Sequence, residues 1–142
     1  MWNFRCLMET KILVIGHSQF PRVVVEGLKF VSGIEEDIDY KYIDNDHSID
    51  ELKNDLEKYL EKCENIIIFA DLPGGSPHRL AVETIEKTKK KNAIVIAGAG
   101  MPMIMDIAFK VILIKFKSFD EIICFIGEKK KNLDKYIMIT GA

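Results

Sequence analysis

No apolar stretch in the chain reaches the ~18 uninterrupted residues that suggest a membrane span. The most apolar run, Val111 to Phe116, is interrupted and followed by lysines. Cysteine is scarce: Cys6, Cys63 and Cys124 are odd in number, widely spaced and free of any CxxC pair. That pattern argues against a disulfide framework and supplies no zinc-ligand spacing, so reduced thiols in a cytoplasmic protein are expected. Excess charge is missing too. With 20 Lys and Arg against 22 Asp and Glu, no strong field invites nucleic acid or an anionic membrane. The runs Lys89–Lys91 and Lys129–Lys131 read as solvated helix ends. The N-terminus lacks the sustained apolar core of a secretory signal. Residues 1–8 are expected to be an N-terminal extension, and because Met8 offers an alternative start, Met1 to Leu7 are expected to be dispensable. Internal repeats, low-complexity segments and domain linkers are absent, so residues 1–142 are expected to form a single domain.

What is present is an alternation of strand and helix patterns. Lys11 to Gly16 is a short β-branched run ending in glycine, the pattern of a buried parallel strand. Pro21 opens a helical stretch to Phe30, which Gly33 can end. Asp39 to Ile43 suits an edge strand. From Ser48 to Cys63, Ser48 and Glu51 fit a capping box, and Ile49, Leu52, Leu56, Tyr59 and Leu60 form one apolar stripe. Ile66 to Ala70 and Ala93 to Ala97 read as further strands. Helices are expected from about Pro77 to Lys90 and from about Met101 to Lys110. Beyond these, Val111 to Phe116 looks like a strand and Phe119 to Ile126 like a short helix. Tyr136 to Ile139 looks like a strand or a docking tail. The fold class is α/β: an open, mostly parallel sheet of four or five strands with helices on both faces.

In such a sheet, ligands bind beyond the carboxyl ends of the strands. There the sequence gathers His17 after the first strand, Asp71 to Pro77 after the third and Gly98 to Pro102 after the fourth. An imidazole, a carboxylate, a hydroxyl and glycine-rich backbone suit phosphoryl transfer. A neutral imidazole is a nucleophile without a metal. Asp71 accepting from Nδ1–H would leave Nε2 of His17 free to take the phosphoryl group. Gly74, Gly75 and Ser76 would offer N–H groups and a hydroxyl at a helix N-terminus. The same residues also fit a plain turn, with Ser76 as N-cap and Pro77 at N1. His78 and Arg79 start the helix beside this loop as candidate partner or phosphate contacts, whereas His47 sits in a polar stretch that suggests simple exposure. No cofactor or metal is expected.

Three motifs in this order resemble the IIA domain of mannose-class sugar phosphotransferase systems over about residues 10 to 110. They are Gly16-His17, Asp71-Leu72-Pro73-Gly74-Gly75-Ser76-Pro77, and Gly98 with Met101-Pro102-Met103. The resemblance implies a phosphohistidine at His17, loaded by the histidine-containing phosphocarrier protein and passed to a IIB domain during sugar uptake. Asp71 would orient the histidine and Ser76 would lie near the phosphoryl group. The resemblance also implies a homodimer whose sheet is completed by an exchanged C-terminal antiparallel strand, for which Val111 to Phe116 is the candidate. The chain departs from the pattern at Ser18, His78-Arg79, Ala99-Gly100 and Asp106. Those positions surround the site and bear on partner choice. Alternatives are a phosphorylation-dependent regulatory module, of the dihydroxyacetone-kinase or transcription-regulator type, and a non-catalytic anion-binding domain.

Overall fold

The computed structural model describes residues 9–141; the expected extension, residues 1–8, lies outside them. In chain order the elements are β1 (Thr10–His17), α1 (Phe20–Ser32), β2 (Ile38–Ile43), α2 (Ile49–Lys62), β3 (Asn65–Ala70), α3 (Ser76–Thr88), β4 (Ala93–Ala97), α4 (Met101–Phe109) and α5 (Phe119–Lys131). The four strands form one parallel sheet in the order β2-β1-β3-β4, with β2 at an edge as its sequence suggested.

Side chains alternate across a strand, so β1 and β3 each serve two cores. Ile12, Val14, Ile67 and Phe69 face α1, α4 and α5, where Val25, Leu28, Ile104, Ile107 and Ile122 close the layer. Leu13, Ile15, Ile66 and Ile68 face α2 and α3, against Leu52, Leu56, Leu60 and Ala81. Every residue of β3 is buried. A strand apolar on both faces must lie inside a sheet covered on both sides.

Local signals set the helix ends. Ser48 accepts from Glu51 N–H at 3.1 Å, and the Glu51 carboxylate takes Ser48 N–H at 3.1 Å, completing the expected capping box of α2. Gly33, at φ +72°, ends α1 by donating to Lys29 O. Ser118 caps α5, which runs past Ile126 to Lys131. At α3 the cap is Gly75 rather than Ser76. The helix begins at Ser76, whose hydroxyl makes no capping bond and is left for other work.

The C-terminal third corrects the sequence reading. Val111 to Phe116 is not a strand: Lys110–Ile114 continues α4 as a π-helical turn, ended at Lys115 with φ +55°. Ile104, Ile107, Ala108 and Val111 are all buried. They recur at i, i+3, i+4 and i+7, and neither glycine nor a further proline interrupts the helix after Pro102. Tyr136 to Ile139 is not a strand either. Leu133–Tyr136 forms a 3₁₀ turn, and Ile137, Met138 and Ile139 trail away strongly exposed. Among the described residues the sheet has four strands and no antiparallel one. Tyr136 O–H donates to Asp106 at 2.7 Å, and Lys129 pairs with the same carboxylate at 2.9 Å. Burial and that hydrogen bond push the Tyr136 phenol up to about 12. No described helix is long and apolar enough to cross a membrane.

Because the Ser48 hydroxyl holds an orphan N–H of α2, Ser48→Ala is expected to cost about 1 kcal/mol in urea unfolding. The loss should be one of stability only, since the capping bonds of Ser48 are made with Glu51 and not with His17 or Asp71.

Candidate functional site

The strand order places a topological switch between β1 and β3. The chain leaves β1 toward β2 on one side and leaves β3 toward β4 on the other, opening a crevice at their carboxyl ends. Ladder bonds run past the strands and tie the loops to this edge. Ser18 N–H donates to Ile43 O at 2.8 Å, Asp71 N–H to Ile15 O at 3.2 Å, and Gly98 N–H to Ala70 O at 3.0 Å.

His17 ends β1 and Asp71 directly follows β3. Asp71 Oδ2 accepts the His17 backbone N–H at 2.8 Å and faces His17 Nδ1 at 2.9 Å. Asp71 Oδ1 accepts Leu72 N–H at 2.7 Å. A carboxylate so placed requires a donor at Nδ1, so the tautomer with its lone pair on Nε2 is selected. The side chain of Asp71 is 10% exposed and that of His17 41%. The pair therefore has a sheltered acceptor and an accessible imidazole ring. Burial raises the Asp71 carboxyl, but the His17 backbone and ring bonds and the Leu72 N–H outweigh it and hold the group below its ordinary value.

Gly16 makes this approach possible. In register, Ile15 pairs with Ala70, so Gly16 faces Asp71, and a Cβ there would lie 2.6 Å from Asp71 Cγ and Oδ2. The loop after Asp71 is equally constrained. Gly75 N–H donates to Leu72 O at 3.0 Å, and Gly74 has φ +79°. With Pro73 before it, this is a type II turn. A Cβ on Gly75 would lie 3.3 Å from His17 Cε1. The N-terminus of α3 thus rests against the ring carbon between the two nitrogens.

The turn also shows where its two glycine amides are engaged. Gly74 N–H donates to His78 Nδ1 at 2.8 Å, and Gly75 N–H is held by Leu72 O, so neither glycine amide is spare. Pro77 has no N–H. Among the described residues, the donors left at this helix start are the Ser76 N–H and hydroxyl and the His78 N–H. Glycine here supplies shape, and the unengaged donors are those of Ser76 and His78.

The remaining candidates fall around this centre. Ser18 is exposed and held at φ +53°, a conformation uncommon outside glycine, by its bond to Ile43. Arg79 is exposed, and its N–H closes the first helical bond to Gly75 O at 3.0 Å. Gly98 buttresses the turn: at φ +83°, a Cβ there would meet Pro73 Cγ at 2.9 Å. No cluster of three or more His, Cys, Asp or Glu among the described residues is placed to hold a metal ion.

Sequence reasoning missed a second histidine–carboxylate pair. Asp44 Oδ1 accepts the His47 N–H and faces His47 Nδ1, each at 2.8 Å, the same grip that Asp71 has on His17. The Asp44 hydrogen bond raises the His47 imidazole, and His47 in turn lowers Asp44. The signal was the Asp-x-x-His spacing before a helix cap. The surroundings differ from those of His17: Asp46, Asp50 and Glu51 follow closely in sequence, and the start of α2 is already capped.

The sequence model of the family described as PTS system fructose IIA component matches residues 11–125. No curated protein sequence matches the chain. Solved structures share its fold. An EIIA phosphotransferase-system component from Streptococcus agalactiae aligns with TM-score 0.77 at 19% identity, covering 92% of this chain and 97% of that one. A mannose/sorbose-specific IIA subunit from Enterococcus faecalis gives 0.73 at 15% identity, covering 95% and 97%. A sigma-54 interaction domain protein from Enterococcus faecalis gives 0.71 at 10% identity, covering 92% and 96%.

A carboxyl group held below its ordinary value of 3.8 stabilises the fold above that value. Compared with Asp71→Asn, the wild type should be more stable by about 2 kcal/mol near neutral pH. The advantage should fall away as acid protonates Asp71. Urea midpoints measured across the acid range would show this convergence; a constant gap would contradict it.

Proposed function

We propose, from the premise that this chain belongs to the family of PTS system fructose IIA components, that it is a cytoplasmic phosphocarrier holding a phosphoryl group on Nε2 of His17. The observation that carries this reading is the Asp71 Oδ2 contact with His17 Nδ1 at 2.9 Å, which leaves Nε2 unprotonated on an accessible ring. The donor is the histidine-containing phosphocarrier protein and the acceptor a IIB domain, in the service of sugar uptake.

The chemistry follows from positions. The Nε2 lone pair attacks phosphorus in line, the P–N bond of the donor phosphohistidine breaks, and its electron pair returns to the donor ring. His17 keeps the Nδ1 proton throughout, so its ring becomes cationic as the new P–N bond forms. Asp71, ionised and already desolvated, stabilises that charge. The three equatorial oxygens of a loose transition state need donors rather than covalent help. The Ser76 hydroxyl and N–H and the His78 N–H would supply them at a helix N-terminus.

The functional unit is a homodimer. Among the described residues β4 is an unpaired edge, and beside it runs a cavity of about 750 Å³ lined by Ile94, Ile96, Pro102, Ile126 and Ile137, among others. The trailing Ile137, Met138 and Ile139 are 73–89% exposed, and Ile137 is already extended, at φ −123° and ψ 126°. A β-branched apolar tail and an open apolar edge are complementary, and the addition of one copy's tail to the other's β4 satisfies both. The exchanged segment is then residues 137–141, rather than Val111 to Phe116.

Incubation with phosphoenolpyruvate, enzyme I and the histidine phosphocarrier should add the mass of one phosphoryl group, stable at neutral pH and lost in acid. His17→Ala should abolish it without loss of folding; incorporation that persists in this variant would remove His17 from the role. Transfer onward to a IIB domain supports uptake, whereas loading without such transfer would move the reading to a regulatory module. Truncation after Tyr136 should shift sedimentation from dimer to monomer at micromolar protein. An unshifted dimer would exclude the tail as the exchanged segment.

A further inference from the structure

We propose that His78 is a positioning residue for His17, acting through the turn from Leu72 to Gly75; the inference rests on the phosphocarrier reading of His17. Gly74 N–H is a donor only, so the 2.8 Å bond to His78 Nδ1 fixes His78 with its lone pair on Nδ1 and, when neutral, its hydrogen on Nε2. His17 is held in the opposite tautomer. The two imidazoles, 61 positions apart in the chain (78 − 17), sit on either side of one turn and do different jobs. His78 is thereby excluded as a competing phosphoryl acceptor, because Nδ1 is occupied and Nε2 carries the proton.

The bond controls the weak point of the turn. Type I and type II turns with the same Leu72 O to Gly75 N–H closure differ by a flip of the central peptide, here the bond between Pro73 and Gly74. Glycine in the third position permits either form. Capture of Gly74 N–H by His78 selects the type II form, at φ +79°. A flip would reverse the dipole of that peptide beside the site and disturb the Gly75 backbone that lies against His17 Cε1. His78 is carried on α3, so the helix that offers the donors also locks the loop that seats the nucleophile.

The test compares His78→Phe, which keeps a ring but removes the acceptor, with His78→Asn, whose Oδ1 stands close to the position of Nδ1. The Phe variant should fold normally and still load one phosphoryl group. It should do so about tenfold more slowly, the equivalent of one hydrogen bond, through a lower maximal rate at unchanged half-saturating donor concentration. The Asn variant should recover most of the rate. In nitrogen NMR the His17 ring signals should broaden or move in the Phe variant and return in the Asn variant. Equal rates for the wild type and the Phe variant would overturn the proposal, as would failure of Asn to rescue. A change confined to half-saturation would make His78 a docking contact and also overturn it. If the wild type itself fails to load, the phosphocarrier reading falls. The His17 ring signals then still decide the positioning, because signals alike in all three proteins refute it.

Discussion

The structure depends on one carboxylate oxygen, Asp71 Oδ2, which holds both the backbone N–H and the ring Nδ1 of His17. This grip is possible only because β1 and β3 are parallel neighbours in a register that brings Asp71 beside Gly16. The absent side chain of Gly16 then admits the carboxyl group. Slipping the pairing by one residue would turn the alternate side chains of a strand to the wrong core and separate the pair. The two apolar layers packed on β1 and β3 therefore enforce the geometry of the site as well as the fold.

The histidines show how much depends on the partner of each nitrogen. His17 and His47 both present Nδ1 to a carboxylate, and His78 presents Nδ1 to an amide N–H. Tautomer alone would leave His47 as able a nucleophile as His17. The difference is what surrounds Nε2. His17 lies against the start of α3, where N–H and hydroxyl donors remain unspent. His47 precedes a helix start already closed by Ser48 and Glu51, in a stretch that also holds Asp46 and Asp50. A phosphoryl group carries negative charge, so the first environment favours it and the second repels it.

The sheet, its edge strand and the approach of Asp71 to His17 were legible in the sequence, because β-branched runs and glycine-rich turns mark a parallel α/β sheet and its carboxyl edge. The capping box of α2 was legible for the same local reason. Three things were not. Val111 to Phe116 is apolar and β-branched, so composition suggested a strand, while the spacing from Ile104 to Val111 carried a helical period across the assumed boundary. The glycine amides looked free because a motif does not show where its own N–H groups are satisfied. Gly74 is taken by a side chain four residues on and Gly75 by a turn carbonyl. The Asp44–His47 pair was read as mere exposure because nearby polar residues often are just that, and only the backbone of the turn brings the ring to the carboxylate.

On the proposed carrier role, the distribution of burial around Asp71 has a consequence for a ring that would both accept and release a phosphoryl group. A carboxylate exposed to water would reorganise its solvent each time the His17 ring gained or lost charge. Asp71 is already largely withdrawn from water and held by three N–H contacts, so the cost of its desolvation is met by the fold before any reaction begins. The same arrangement limits how strongly it can favour the cationic ring. Its lone pairs are shared with the backbone N–H groups of His17 and Leu72, which temper its basicity and hold it below the ordinary carboxylate value. A stronger, unshared anion would draw the Nδ1 proton toward itself or trap the phosphorylated state. The shared carboxylate would stabilise charge as it appears and still permit its loss, which is the balance that the proposed transfer in two directions requires.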